Sequence, residues 1–290
     1  MLQSCFTGVE NTGKITLSKK ELTAVAPTQE DLYLSSIENP VLKNWRPGRS
    51  FVVSDNKINF ILETKAPKAL NEGDTIIFDH SEGKISVDGG ERTILVFNAG
   101  GEKIEYPIEK PKGVADTVIN ANNLPLLIDL QTIDMIDKNL KGQSFWTKST
   151  LWYDDNLQYK KGKKFTKITV SEVRPGNNFF PAIIKFEDEE GDIGSFLLSL
   201  GLNGTSNRTF GRLFSLEDPR SKYKNISTEI WGAIQKEELK SGMTKEETRL
   251  SRGNPSDVEM GHNYSNSLEI WYYPDGSYVR FIDGLLLDYK

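Results

Sequence analysis

Few side chains in these 290 residues are suited to chemistry: one cysteine, Cys5, and two histidines, His80 and His262. A transition-metal site needs His, Cys and carboxylate ligands at short spacing, and these three stand apart. His80 lies in Phe78-Asp79-His80-Ser81-Glu82-Gly83 and His262 in Gly261-His262-Asn263, which read as a turn and a loop. A Ser-His-Asp hydrolase would draw on one of them, but no Gly-x-Ser-x-Gly elbow occurs. No Gly-x4-Gly-Lys-[Ser/Thr] phosphate loop occurs either, and Gly201-Leu202-Asn203-Gly204 lacks the strand-to-helix setting such a loop needs. The acidic run Glu187-Asp188-Glu189-Glu190-Gly191-Asp192 offers oxygen ligands for calcium, though not at EF-hand spacing. Its place between two apolar runs suits a hairpin tip. Two carboxylates for glycoside hydrolysis can be far apart in sequence, and no pair stands out.

Aromatic residues are the stronger lead. Phe145-Trp146 and Trp152-Tyr153 fall close together, and Trp45 sits near the equivalent point of an earlier, similar stretch. Trp and Tyr give broad contact area for little lost entropy. Successive strand residues face opposite ways, so some of this set should face outward while others fill a core. Trp45, Trp146, Trp152 and Tyr153 are therefore the candidate binding residues. No cofactor or metal is expected.

Leu2-Gln3-Ser4-Cys5 resembles the lipobox of bacterial lipoproteins: an aliphatic residue, a variable one, a small one, then cysteine. The resemblance implies that Cys5 is lipidated, with residues 1–14 as an anchor and polar tether. Several acyl chains would hold it firmly, at about 0.8 kcal/mol per buried methylene. The family's basic and apolar leader would have to precede Met1. The implied location is the cell envelope, at the outer membrane or in the periplasm.

Thirty-six Lys and Arg stand against 41 Asp and Glu, a net charge of −5. That balance gives no basic footprint for nucleic acid. The basic run Lys160-Lys161-Gly162-Lys163-Lys164 reads as a solvated hairpin tip. A lone cysteine leaves burial, not disulfides, to hold the fold together.

The elements that must position the aromatics come in two similar stretches. Lys43-Asn44-Trp45-Arg46-Pro47-Gly48-Arg49-Ser50-Phe51 reads against Lys138-Asn139-Leu140-Lys141-Gly142-Gln143-Ser144-Phe145. Further on, Gly73 faces Gly162, Ile94-Leu95-Val96-Phe97 faces Ile183-Ile184-Lys185-Phe186, and Ile104 faces Ile193. A helix capped by Thr28 is expected over Gln29 to Glu38, and another over Leu126 to Leu140. Short strands follow each: Phe51 to Val53, Ile58 to Leu62, Thr75 to Phe78 and Ile94 to Phe97. Their counterparts are Phe145 to Tyr153, Phe165 to Val173, Ile183 to Phe186 and Ile193 to Leu200. The strand spacing resembles that of SH3-like barrels. From residue 223 the pattern becomes helix, turn, helix, three strands, with a capping box at Thr244 and Glu247 and a stop at Gly253.

Gly242-Met243-Thr244-Lys245-Glu246-Glu247, Gly253-Asn254-Pro255, Trp271-Tyr272-Tyr273 and Val279-Arg280-Phe281-Ile282-Asp283-Gly284 together resemble the BamE (SmpA/OmlA) module. The resemblance covers roughly the last 60 residues and implies an ααβββ fold. Thr248 stands where the family usually has an aliphatic residue. Modules of this family are mostly secreted or lipid-anchored envelope parts that bind proteins.

The expected fold class is α+β: two related small β-rich domains, SH3-like barrels or sandwiches, at 15–112 and 113–222, then an ααβββ BamE-like module at 223–290. The expected function is a non-catalytic envelope lipoprotein that binds a protein or cell-wall polymer and meets the membrane through its lipid. The alternatives are a glycan-acting hydrolase or its accessory protein, and a secreted enzyme inhibitor.

Overall fold

The computed structural model of the chain describes residues 26–64, 68–86, 89–200, 208–262 and 267–290. Cys5, its tether and Gly201-Leu202-Asn203-Gly204 lie outside them. The fold is α+β, with three antiparallel sheets among the described residues.

The first sheet contains β1 (Ser50–Val53), β2 (Thr75–Ile85), β3 (Glu91–Ala99), β4 (Glu102–Ile108) and β5 (Leu127–Asp129), in the order β4-β3-β2-β1-β5. The second contains β6 (Ser144–Thr147), β7 (Leu151–Tyr153), β8 (Tyr159–Lys161), β9 (Lys167–Pro175), β10 (Ala182–Asp188), β11 (Ile193–Leu198) and β12 (Phe214–Ser215). Its order is β12-β6-β9-β10-β11-β7-β8, so β11-β10-β9-β6-β12 runs as the first sheet does, with the β7–β8 hairpin added beyond β11.

The agreement extends to register. Phe78 pairs with Phe97 and Val170 with Phe186; beyond them Ser81 pairs with Leu95 and Val173 with Ile184. Between these pairs each long strand carries one unpaired residue, Asp79 in β2 and Ser171 in β9, at the same place in the ladder. Such bulges bend a strand and increase its twist. The match slips at the next strand. Ile104 pairs with Phe97, but it is Gly194 that pairs with Phe186. Ile193, half exposed, takes the place of Lys103, because the acidic turn after β10 is one residue longer than the Gly100-Gly101 turn.

Several elements differ from expectation for local reasons. Residues 58–62 form no strand: Asn56–Phe60 is a 3-10 helix capped by Asp55, and the Asn59 side chain bonds both backbone groups of Leu70. The first helix, α1 (Gln29–Leu32), has the expected Thr28 cap but ends early, where the Ser35 hydroxyl donates to the Leu32 carbonyl at 2.6 Å. The helix expected from Leu126 begins only at Leu130. Leu127–Asp129 is strand β5, and the Asp129 carboxylate accepts from Thr132 N to cap α3 (Leu130–Leu140). His80 lies within β2, not in a turn. The stretch expected as one strand over Phe145 to Tyr153 is two, β6 and β7. Helices α2 (Lys112–Val118) and α4 (Phe210–Leu213) precede β5 and β12.

Chain segments do not stay with the sheet nearest in sequence. β5, from the stretch expected to begin the second unit, completes the first sheet. The strap 26–39, from the first stretch, packs on the second core. Tyr33 stacks on Phe210 with centroids 4.5 Å apart and meets Phe145 edge-on, while Leu34 and Ile37 join the same cluster. Gly211 makes this approach possible, because a Cβ there would lie 2.4 Å from Asp31 Oδ1.

The third unit has α5 (Thr228–Gln235) and α6 (Lys245–Arg252) over one face of a sheet ordered β13-β14-β15-β16. The strands are β13 (Asp257–His262), β14 (Ser267–Tyr272), β15 (Tyr278–Ile282) and β16 (Leu285–Tyr289). β13 is additional to the three expected. The capping box at Thr244 and Glu247 forms, and Gly253 ends α6 at a φ of 91°.

Candidate binding surfaces

The four candidate aromatics divide into two pairs. Trp45 is buried against Phe51 and Phe78, with Nε1 donating to the Pro40 carbonyl at 2.9 Å. Trp152 is 1% exposed, edge-on to Phe186, with Nε1 donating to the Ser149 carbonyl. Its indole lies between two glycines: a Cβ on Gly162 would fall 2.0 Å from the ring, and one on Gly194 2.8 Å from it. Both rings are core, as large apolar side chains with a satisfied N–H tend to be, and neither offers a face to a partner.

Trp146 and Tyr153 are half-buried. Trp146 points to the opposite side of β6 from buried Phe145. The Tyr153 hydroxyl accepts from Arg208 at 2.6 Å, and the guanidinium lies over both the Tyr153 and Phe180 rings, 5.2 and 4.6 Å from their centroids. Exposed Phe179 is next to Phe180 in sequence.

The charged runs are used internally. Lys160 and Lys161 lie on β8, and the Lys160 ammonium donates to the Ile193 carbonyl. Lys163 sits among the acidic turn's carboxylates, 3.4 Å from Asp188, 2.5 Å from Glu190 and 3.5 Å from Asp192. An ammonium therefore stands where calcium was considered. Among the described residues no cluster of three or more His, Cys, Asp and Glu side chains is placed to hold a metal ion. Lys164 is buried and joins the second sheet to the third unit: its ammonium donates to the Ser251 carbonyl at 2.5 Å, and its backbone N–H donates to the Gln235 carbonyl. Burial pushes its pKa down, with Glu237 opposing that shift. Phe165 stacks on Trp231 beside it. Lys164 is thus an internal joint, while Lys160 and Lys161 remain at the surface along β8.

A surface the sequence reading did not anticipate is the open face of the third sheet. Alternation along β14 and β15 sends Trp271, Val279 and Phe281 under the helices and leaves Ile270, Tyr272, Tyr278, Arg280 and Ile282 on the other side. Leu285 of β16 continues that side opposite Ile282. Register sets Tyr272 against Tyr278 and Ile270 against Arg280. The polar groups are held in place. Arg280 forks onto Asp288, with Nε 2.6 Å from Oδ1, and the Tyr272 hydroxyl donates to Glu259 at 2.9 Å. Glu259 correspondingly raises the Tyr272 pKa. Aromatic rings and aliphatics on a sheet with charges held in place suit protein contact. The usable sequence signal was the period-two pattern of Asp257-Val258-Glu259-Met260, which marks β13.

No protein family, no curated protein and no solved structure matches this chain.

Proposed function

We propose that this chain is a non-catalytic cell-envelope lipoprotein that binds a protein or cell-wall partner. Cys5 carries the lipid, at the outer membrane or facing the periplasm. In this reading the two sheets that share strand order, register and bulge are copies of one SH3-like β-rich unit, and the third unit is a BamE-like module with an extra edge strand. The observation that supports binding is the open sheet face of Ile270, Tyr272, Tyr278 and Ile282, opposite a face closed by two helices.

A photo-crosslinking residue placed at Tyr272 tests it in intact cells producing the full chain. A discrete crosslinked species, absent when the probe stands at exposed Lys57, is the expected result. No crosslink at Tyr272, or the same species from both positions, overturns the assignment. Mass spectrometry of the membrane fraction should find a diacylglyceryl thioether on Cys5, and an unmodified thiol removes the anchor.

A further inference from the structure

A groove of about 540 Å³ runs between the strap 26–39 and the second sheet, within the 300–1,000 Å³ range typical of small-ligand sites. The strap is fixed at two points: Tyr33 stacks on Phe210, and Asn39 Nδ2 donates to Asn120 Oδ1 at 2.9 Å. Between these points the strap holds itself by local turns, Ser35 N to Leu32 O and Ile37 N to Leu34 O, and forms no strand with the sheet. Its apolar wall is formed by Leu34 and Ile37 on the strap and by Leu198, Leu200 and Phe210 opposite, and hydroxyl and amide side chains make up much of the rest. Hydroxyls of Ser35 and Thr209 also line it, with one acid, Asp31, and one base, Arg212.

Those charges narrow the ligand class. The Asp31 carboxylate accepts from Thr28 N and Oγ1, and these bonds hold its pKa below the ordinary value, so it is ionised at neutral pH. Arg212 brings a guanidinium to the same groove. A headgroup of a single charge would therefore meet one like charge, and a zwitterion would have to match both exposed groups at once, whereas hydroxyls can bond to either residue. We propose that the groove takes an uncharged amphiphile, an aliphatic body ending in hydroxyl groups. Neither the lipid proposed for Cys5 nor the open face of the third sheet is needed for it.

Calorimetric titration of the full chain with monomeric n-hexyl β-glucoside tests the proposal, with hexanoate and hexylammonium as charged counterparts. The expected result is saturable one-to-one binding of the glucoside, roughly fivefold or more tighter than either ion. Leu200→Trp, which fills the groove, and Ser35→Trp, at an exposed position on its rim, should each weaken binding by about tenfold or more. Ser35→Trp decides the matter if Leu200→Trp unfolds. Absence of saturation, equal binding of all three probes, or undiminished affinity in Ser35→Trp with native circular dichroism overturns the proposal.

Discussion

The first and second sheets share five strands and a bulge, and they fill the space beside those strands differently. In the first, the connection from β1 to β2 winds into a 3-10 helix that buries Ile58, and Trp45 enters from before β1. In the second, the connection from β6 to β9 becomes the β7–β8 hairpin on the far edge, and Trp152 enters from that hairpin. Backbone pairing tolerates such exchange because a ladder fixes register, not the identity of the ring that plugs it. The aligned glycines show the same point. Gly73 has a φ of +90° and open space around its Cα, so it serves a turn; Gly162 has the indole of Trp152 against it, so it serves packing.

The comparison can be broken by mutation. Trp152→Ala should have the largest effect, about 4 kcal/mol in denaturant unfolding, from lost burial plus a cavity; a loss under about 1 kcal/mol would mean the hairpin is not part of the second core. Asp129→Ala comes next. It strands the Arg49 guanidinium, which now lies 2.7 Å from the Asp129 carboxylate with both side chains buried, and should cost about 3 kcal/mol. The double variant Arg49→Met with Asp129→Leu should recover only the part due to the stranded guanidinium, because the Asp129 cap on α3 stays lost. Gly162→Ala should cost about 2 kcal/mol by overpacking, against about 1 kcal/mol for Gly73→Ala, where only the backbone is strained. Equal losses would show that the two glycines do the same work.

The smallest effect sharpens the contrast with the third sheet, whose buried face carries a carboxylate beside its rings. Burial raises the pKa of Glu269, but hydrogen bonds from the Lys245 ammonium and from Trp271 Nε1 outweigh it, and the net shift is downward. A lowered folded-state value stabilises above the unfolded pKa of about 4.3, and that stability is lost as pH falls through the folded value. The melting-temperature gap between wild type and Glu269→Gln should therefore be widest near neutrality and narrow in acid. A constant gap would remove the charge from the account.

What could be read from the sequence was what neighbours in the chain decide. The Thr244–Glu247 capping box, the Gly253 stop and the Asp283-Gly284 turn, with φ of 50° and 82°, all formed because each is satisfied within a few residues. The shared register of β3 and β10 was legible because apolar runs at a fixed offset carry it. The destinations of side chains that meet partners far along the chain were not. Nothing near Lys164 in sequence points to Ser251, and nothing near Tyr33 points to Phe210. Trp45 and Trp152 could face out or fill a core by alternation alone, and only their packing on Phe78 and Phe186 places them in the cores. The open face of the third sheet was not legible because which side of β14 and β15 the two helices cover is decided by packing of Trp231 and Ile234 on Trp271 and Phe281, far along the chain.

The strap also bears on how the molecule would carry tension. A pull from the N-terminal side reaches Tyr33 on Phe210 and Asp31 beside Gly211 before it reaches β1. While that seat holds, load passes straight into the second core and the first sheet hangs slack as a closed loop. Only when the seat gives way would force begin to unzip the first sheet, so the small stacked contact acts as a mechanical fuse for the strands behind it.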